Sequence, residues 1–348
     1  MKVLITGNLG YVGAGLVYEL RHHYPEAEII GYDTGFYAKY ITNNSLIPES
    51  YLDAQYYADI RNFPETLLEG VDSVINLAAI SNDPIGNKFE EATLDINYRA
   101  AVNLAKKSKQ AGVRNYIYAS SCSVYGAASD QPRKEGDKVN PLTAYAKSKI
   151  YTENDLSELA DNEFKITCFR FATACGMSDR LRLDLVLNDF VAGAVSGGKI
   201  TILSDGTPWR PLINVLDMAR AIRWGYERTH QNGGDFLVIN TGSDEWNYTV
   251  KELAMKIREI LPEISVSVNQ QAEPDKRSYK VDFGLFKKLA PNHQPVYDLE
   301  RSINGLLNGL KQIGFNDPDF RNSKLMRLNV INHLVEQGKL DGSLRIIT

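Results

Sequence analysis

The chain has 348 residues, of which 43% are hydrophobic and 24% are charged, and its formal charge of -4 goes with a pI near 5.8. This length allows two domains or one large one, and the composition is ordinary for a globular enzyme. The slightly acidic balance leaves no basic footprint, which excludes nucleic acid and anionic membranes as general partners.

The three cysteines have no CxxC spacing, which argues against a disulfide framework and a structural zinc site, so we expect no metal. The N-terminal KVLIT is typical of a strand rather than a signal peptide, and no later window approaches 18 apolar residues. We therefore expect a cytoplasmic protein that has no membrane segment.

The N-terminal stretch KVLITGNLGYVGAGLVYELRHH predicts a strand, a glycine turn and a helix. Gly7, Gly10 and Gly13 have GxxGxxG spacing, which permits a tight turn, close approach of a pyrophosphate and close packing of helix on strand. Tyr11 and Val12 open the helix, whose free N–H groups and positive dipole end suit phosphates. We expect these five residues to bind a dinucleotide.

Two further predicted strands supply the adenosine end of that site. EIIGYD ends in Asp33, twenty residues after Gly13, where a carboxylate accepts hydrogen bonds from ribose hydroxyls and repels a 2′-phosphate. This residue favours NAD over NADP. QYYADI predicts the next strand and places Asp59 and Ile60 at the adenine.

DSVINLAA predicts a fourth strand, apolar throughout as a strand buried on both faces should be. Its exit residues Leu77, Ala78 and Ala79 are positioned to lie against a cofactor. A helix is predicted over about 90–111, and RNYIYASS is the fifth strand. This alternation predicts a doubly wound parallel sheet, the Rossmann type of α/β fold, with ligands at the C-terminal strand ends.

The centre of the chain contains RNYIYASSCSVYG and then PLTAYAKSK, which opens a helix. Tyr145 and Lys149 are four residues apart and share one helix face, an arrangement that by itself is usually an ordinary surface pair. A nearby cation favours the phenolate, lowering the phenol pKa from about 10 towards neutrality. With Ser121 at the preceding strand end, the trio suits proton transfer to or from a carbinol during hydride transfer.

FKITCFRFATACG predicts a sixth strand and FLVINTG, at 236–242, a seventh. Between and after them we predict a helix in RLRLDLVLNDFVAGAVSGG, the strand KITIL, a helix in TPWRPLINVLDMARAIRWGYERT, the helix TVKELAMKIREIL, the strand SVSVNQ and three final helical runs. We expect residues 1–175 with about 210–245 to form the dinucleotide-binding domain. Residues 176–209 and 246–348 would form a smaller mixed α/β substrate domain.

Taken together, TGNLGYVG, Asp33, NLAA, Asn97, SSCSVYG, YAKSK and RFATACG resemble the extended short-chain dehydrogenase/reductase family, in its NAD-dependent nucleotide-sugar epimerase/dehydratase branch. Asn8 departs from it, because relatives commonly carry a further glycine there. The resemblance implies Tyr145 as acid/base, Lys149 on the nicotinamide ribose, Ser121 polarising the substrate oxygen and Asn97 on the cofactor side.

The resemblance also implies a nucleotide-diphosphate sugar as substrate. WRPLINVLD and DKRSY are similar to stretches that offer arginines to its diphosphate, here Arg210 and Arg277, and guanidiniums bind such groups bidentately. The other expected substrate residues follow predicted strands or lie on the next helix; they are Ser81, Cys122, Ser123, Thr173 and Asn188. Thr173 departs from the family, because many relatives place an asparagine there.

The reaction is less specified than the site. In the family's 4,6-dehydratases an acid and a carboxylate follow the residue that matches Ser121, and here Cys122 and Ser123 occupy those places, which disfavours dehydration. We predict an epimerase that acts through a transient keto-sugar, most often at C4. The alternatives are a net dehydrogenase or ketosugar reductase, epimerisation at C3 or C5 by a Cys122 thiolate, and a non-catalytic NAD-binding sensor or scaffold.

The resemblance further implies a homodimer. Relatives pair the helices that match 90–111 and 143–160 across a four-helix interface, and here both carry alanine-rich stretches, AAVNLA and AYAKSKI. Small side chains allow close helix approach, so we expect these faces to meet in a dimer.

Overall fold

The structure is a computed structural model, which describes residues 1–42, 46–127, 131–269, 271–272 and 277–347. In chain order the strands are β1 (Lys2–Thr6), β2 (Glu28–Asp33), β3 (Ala54–Tyr57), β4 (Ser73–Asn76), β5 (Asn115–Ser121), β6 (Lys165–Phe171), β7 (Thr173–Cys175), β8 (Lys199–Ile202), β9 (Trp209–Asn214), β10 (Phe236–Thr241), β11 (Asn247–Thr249) and β12 (Ser265–Val268).

The helices are α1 (Tyr11–His23), α2 (Asp83–Lys88), α3 (Glu90–Leu94), α4 (Ala101–Gln110), α5 (Ala144–Ser157), α6 (Val186–Gly197), α7 (Val215–Glu227), α8 (Val250–Ile260), α9 (Gly284–Leu289), α10 (Leu299–Gln312) and α11 (Arg327–Glu336). A π-helical turn, Asp95–Ala100, joins α3 to α4. Within the described residues, no helix combines the length and apolar character needed to cross a membrane.

A seven-stranded sheet has the order β10-β6-β5-β4-β1-β2-β3, and every pairing within it is parallel. The predicted doubly wound α/β fold is confirmed. The chain moves outward from β1 in one direction through β2 and β3, and in the other through β4, β5 and β6. A crevice forms at such a reversal, beyond the C-terminal ends of β1 and β4, where ligands of these folds bind.

Helices bury both faces of this sheet. On one face α1 and α7 close a core that includes Leu16, Phe169 and Trp224, and on the other α4 closes a core that includes Leu104 and Tyr116. Both faces of β6 are buried, which explains its apolar run.

A smaller part has a core of its own between α6, α8 and α10 and two small sheets, ordered β11-β9-β7 and β12-β8. The predicted sixth strand is two strands, because the chain leaves the large sheet at Ala172 and β7 pairs with β9 instead. The first part of the predicted TPWRPLINVLD helix is also a strand, β9. Asn214 ends it, because its side chain accepts a hydrogen bond from Leu216 N–H and caps α7.

Two segments assigned from the sequence to the smaller domain pack elsewhere. Phe283 and Phe286, at the start of α9, join the core beside α7. Ile331 on α11, with Leu340 and Leu344 beyond it, joins the core on the opposite face of the large sheet. The expectation that 246–348 belongs wholly to the smaller domain is therefore wrong for these segments, whose apolar side chains are buried against the large domain.

Candidate active site

A cavity of about 690 Å³ lies over the crevice, between the large sheet and the smaller part. The sequence-predicted residues that line it come from nine separated stretches of chain. They are Gly7, Gly10, Tyr11, Val12, Gly13, Asp33, Asp59, Ile60, Leu77, Ala78, Ala79, Ser81, Ser121, Ser123, Tyr145, Lys149, Thr173, Arg210 and Arg277.

The glycine turn has the shape that a dinucleotide needs. Gly7 has a φ of +77°, and a Cβ there would stand 2.5 Å from the Ala78 nitrogen. A Cβ on Gly13 would stand 2.3 Å from the Asn8 oxygen, so both positions require glycine. Helix α1 begins after Gly10 with no side-chain cap among the described residues, which leaves its first N–H groups available for phosphate oxygens.

Asn8, the departure from the family pattern, does not disturb this turn. Its side chain is buried and donates to Gln55 Oε1 at 2.6 Å, beneath the turn rather than into the cavity. The amide therefore replaces a glycine without obstructing the phosphate-facing backbone.

Asp33 is positioned at the C-terminal end of β2 by two backbone N–H groups. Its carboxylate accepts from Leu9 at 3.2 Å and from Gly35 at 2.8 Å. Burial raises the pKa of Asp33, although these hydrogen bonds oppose the rise. At the next strand end, Asp59 pairs with Arg61 at 2.6 Å.

Strand β5 and helix α5 bring the predicted trio together. Ser121 ends the strand, and Thr143 caps the helix by accepting from Ala146 N–H at 3.2 Å. Tyr145 and Lys149 follow one turn apart, both facing the cavity. Lys149 is 3% exposed. Its Nζ atom donates to the Ala119 carbonyl at 2.6 Å and lies 5.4 Å from the centroid of the Tyr145 ring.

The pKa values of this pair differ from the sequence-based expectation. Burial raises the pKa of Tyr145 to about 12, and a hydrogen bond with Ser121 only partly opposes it. Burial also lowers the pKa of Lys149 to about 7, against the attraction of the Glu153 carboxylate. The expected lowering of the phenol pKa towards neutrality is not found, because desolvation dominates, and the Lys149 amine donates to the Ala119 carbonyl.

A buried ion pair beneath the trio was missed from the sequence. Glu153 accepts from Ser120 Oγ at 2.5 Å and pairs with Arg170 at 2.7 Å, and Arg170 also donates to Tyr125 at 3.1 Å. These contacts join β5, β6 and α5. The available signal was that Glu153 lies one helical turn beyond Lys149 on the same face.

Asn97 does not line the cavity, contrary to its assignment as a cofactor residue. It is fully buried in the π-helical turn, accepts from Ile80 N–H at 2.7 Å and donates to the Ile80 carbonyl at 2.9 Å. Both hydrogen bonds fix the chain that leaves β4. Asn97 therefore positions cavity-lining backbone and does not itself face the ligand space.

Cys122 and Asn188 also turn away from the cavity. Cys122 is buried in the core, its thiol donates to the Arg170 carbonyl at 3.1 Å, and burial raises its pKa. Its assignment to the substrate is therefore wrong, and the alternative of a thiolate base is disfavoured. Asn188 is fully buried, accepting from Gly176 N–H and donating to the Arg182 carbonyl, each at 2.9 Å. It holds a loop of the cavity wall.

The substrate side of the cavity is densely ion-paired. Arg277 pairs with Asp83 at 2.5 Å, and Arg210 donates to the Arg277 carbonyl. Arg182, which was not predicted, donates to Ser81 Oγ at 2.8 Å. Among the described residues, no group of three or more histidine, cysteine or carboxylate side chains could hold a metal ion.

The family model described as "NAD dependent epimerase/dehydratase family" matches residues 3–240. The chain is 27% identical over 268 residues to the uncharacterized UDP-glucose epimerase YtcB of Bacillus subtilis, covering 73% of this chain and 81% of YtcB. It is 26% identical over 298 residues to UDP-glucuronic acid decarboxylase 5 of Arabidopsis thaliana, covering 83% of each. The NAD-dependent NDP-hexosamine 5,6-dehydratase TunA superposes with a TM-score of 0.77 and 21% identity over 91% of this chain and 99% of TunA.

Proposed function

The chain belongs to the NAD-dependent epimerase/dehydratase family, and on that premise we propose that it is an epimerase of nucleotide-diphosphate sugars that acts at C4 through a transient keto-sugar. The observation that carries the proposal is the presence of Ser121, Tyr145 and the glycine turn in one cavity. Its cofactor is NAD, which when bound takes a hydride from the sugar carbon and returns it.

The chain's own residues have distinct roles around this cofactor. The glycine turn and the α1 N-terminus hold its diphosphate, Asp33 accepts from the adenosine ribose, and Asp59 and Ile60 border the adenine. Lys149 lies beside the nicotinamide ribose. The glycine turn fits the diphosphate of NAD because Gly7 has a positive φ and Gly13 has no room for a side chain.

Tyr145 moves the proton. Its oxygen takes the proton of the sugar hydroxyl as the ring carbon is oxidised, and returns it to the keto oxygen as the carbon is reduced. Ser121 hydrogen-bonds the same sugar oxygen. With a pKa near 12 the phenol is protonated at rest, so the resting side chain is ready for the reductive half. The oxidative half needs the phenolate, so the phenol first releases its own proton to solvent.

Epimerisation is favoured over elimination by the two residues that follow Ser121. Cys122 packs into the core, and Ser123 lines the cavity with a hydroxyl, which is too weak a base to remove a carbon-bound proton. The similar decarboxylases and dehydratase show that this family supports several outcomes from one oxidation. Without an eliminating base dehydration is disfavoured, and we favour return of the hydride to the opposite face of the sugar.

For the substrate we propose a UDP-sugar, the class named for the similar epimerase and decarboxylases. Arg210 and Arg277 would bind its diphosphate, and Ser81, Ser123 and Thr173 lie where its sugar hydroxyls would reach. Because Arg277 pairs with Asp83 in the ligand-free protein, substrate binding would exchange that carboxylate for a phosphate.

The test has two parts. Purified protein is denatured, and the released nucleotide is identified; we expect NAD. The native protein is then incubated with UDP-glucose, UDP-N-acetylglucosamine and UDP-glucuronate, and the products are followed by proton NMR. A C4 epimer of one of these substrates would support the proposal. A 4-keto-6-deoxy product, a pentose product, or accumulation of NADH would contradict it.

A further inference from the structure

Arg327 is a buried arginine in the wall of the cavity that none of the sequence motifs predicted. It opens helix α11, is 3% exposed, and lies with its guanidinium carbon 4.1 Å from the Tyr37 ring centroid. Its Nη2 donates to the Arg180 carbonyl at 2.8 Å. Its Nη1 is buried and has no hydrogen-bond partner among the described residues.

The charges around Arg327 leave its own charge unmatched. Arg180 pairs with Glu49, and Arg182 takes both oxygens of Asp184 at 2.6 and 2.9 Å. No carboxylate within the described parts of the chain lies within 4.0 Å of Arg327. Three guanidiniums therefore share two paired carboxylates.

Asp33, the remaining nearby carboxylate, does not form an ion pair with Arg327 either. The charge of Arg327 opposes the rise in the pKa of Asp33, but among the described residues the two side chains form no ion pair within 4.0 Å, and the carboxylate accepts from the N–H groups of Leu9 and Gly35. Burial, with Arg182 next in effect, lowers the pKa of Arg327 to about 10, so it still carries its charge at neutral pH. A buried cation without a partner is unstable unless an anion joins it.

We propose that Arg327 binds the diphosphate of the bound dinucleotide through its free Nη1, which makes helix α11 part of the cofactor site. The inference rests on the proposed function, because that function places a dinucleotide in this cavity. The diphosphate is the anion that the glycine turn and the α1 N-terminus favour, and these line the same cavity as Arg327. The Asp33 carboxylate would repel a 2′-phosphate, which makes the diphosphate the better partner.

Arg327 lies beyond residues 3–240, the part of the chain that the family model matches. The family's motifs therefore do not supply it. It reaches the cavity because α11 returns from the smaller part and packs Ile331 and Val330 against other buried residues.

The experiment uses the full chain, freed of nucleotide, and isothermal titration calorimetry with NAD, NADP, ADP-ribose and adenosine. In R327Q we expect binding of NAD and ADP-ribose to weaken by about 10- to 100-fold, the size of a lost hydrogen bond to a charged group, with adenosine changed by less than about two-fold. R301Q is the control, because Arg301 also stacks on a tyrosine, Tyr297, and donates to a backbone carbonyl but lies outside the cavity.

Three results would overturn the inference: unchanged NAD affinity in R327Q, an equal loss for adenosine and ADP-ribose, or a loss confined to NADP. The second would assign a structural role and the third a 2′-phosphate site. If R327Q does not fold, R327K is titrated in its place, and the same ratio of ADP-ribose to adenosine affinity decides. Failure of the wild-type protein to bind NAD or ADP-ribose would overturn the proposed function itself, and this inference with it.

Discussion

At the scale of single residues, desolvation shifts the pKa values of two side chains that line the cavity in opposite directions. The pKa of Tyr145 rises to about 12 and that of Lys149 falls to about 7. Burial disfavours the charged form of each group, so above neutral pH the pair is an uncharged phenol beside an uncharged amine. This pair therefore lacks the phenolate that the oxidative half of the proposed reaction needs.

Replacing Tyr145 by phenylalanine should abolish catalysis while sparing the cofactor. We expect Y145F to lower kcat by about 10²- to 10⁴-fold, the usual contribution of a general acid or base, and to bind NAD as the wild type does. Y151F is the matched control, because Tyr151 lies on the same helix but is 43% exposed. Full turnover by Y145F would contradict the role of Tyr145, whereas a wild type that binds NAD without turnover would favour the sensor or scaffold hypothesis.

Lys149 should make stability depend on pH. The pKa of Lys149 is 10.5 for an unperturbed lysine, as in the unfolded chain, and about 7 in the folded protein. Between these two pH values the unfolded chain holds a proton that the folded chain does not. Stability therefore rises with pH in that window, by up to about 1.4 kcal/mol per pH unit. Urea unfolding of NAD-free wild type and K149M at pH 7 and pH 9 measures this change in the free energy of unfolding. A slope equally steep in K149M would contradict the assignment.

Spacing along the sequence predicted some of these residues and not others. Tyr145 and Lys149 were accessible because residues four apart on a helix must share a face. Cys122, Asn188 and Asn97 were assigned to ligands because of their neighbours in sequence, but each turns inward to bind backbone. Which way a polar side chain points at a strand end or loop depends on tertiary partners, and these are not visible in the local pattern.

At the scale of elements, the position of α5 over β5 depends on the buried Glu153–Arg170 pair. Removing the Glu153 carboxylate leaves the Arg170 guanidinium buried without its partner, and we expect E153A to cost about 3–5 kcal/mol of unfolding free energy. E259A removes the exposed pair with Lys256 and should cost less than about 1 kcal/mol. Urea unfolding compares the two. Similar small losses would mean that this pair does not secure the helix.

The strands of the large sheet were predictable from the sequence because each is a short apolar run with a turn signal at its end. The break between β6 and β7 was not, since FKITCFRFATACG is continuous in pattern and the chain changes sheets at Ala172 only because β9 offers a second partner. Strand β9 was likewise hidden in a predicted helix. Whether these segments form strands, and in which sheet, depends on pairing with segments that are distant in sequence.

At the scale of the whole molecule, the smaller part and the large sheet enclose the cavity, and the C-terminal segments return to the large domain. The sequence predicted a substrate domain built from separated segments, but not that Phe283, Ile331 and Leu344 pack against the large domain. An amphipathic helix pattern predicts a buried face and does not say which core that face covers.

The alanine-rich faces expected at the interface of the proposed homodimer are not available for it. Ala101, Ala105 and Ala146 are buried within the chain itself, so the alanine-rich stretches do not supply the contact. Tyr151, exposed on α5, remains available, and we expect Y151R to convert a dimer, about twice 38.9 kDa by light scattering, into a monomer. Y57R changes a tyrosine that is 64% exposed on β3 and should remain dimeric. A monomeric wild type would contradict the proposal.

The central claim is that one sugar carbon, C4, is oxidised and reduced again within the site while Tyr145 exchanges the proton of its hydroxyl. The most direct measurement uses the UDP-hexose that proves to be a substrate, deuterated at C4. The protein converts it, and NMR locates the deuterium in both epimers. The account predicts that deuterium stays at C4 through inversion and that no NADH appears in solution. Loss of the label to water, its appearance on another carbon or cofactor, or an epimer inverted elsewhere would contradict it.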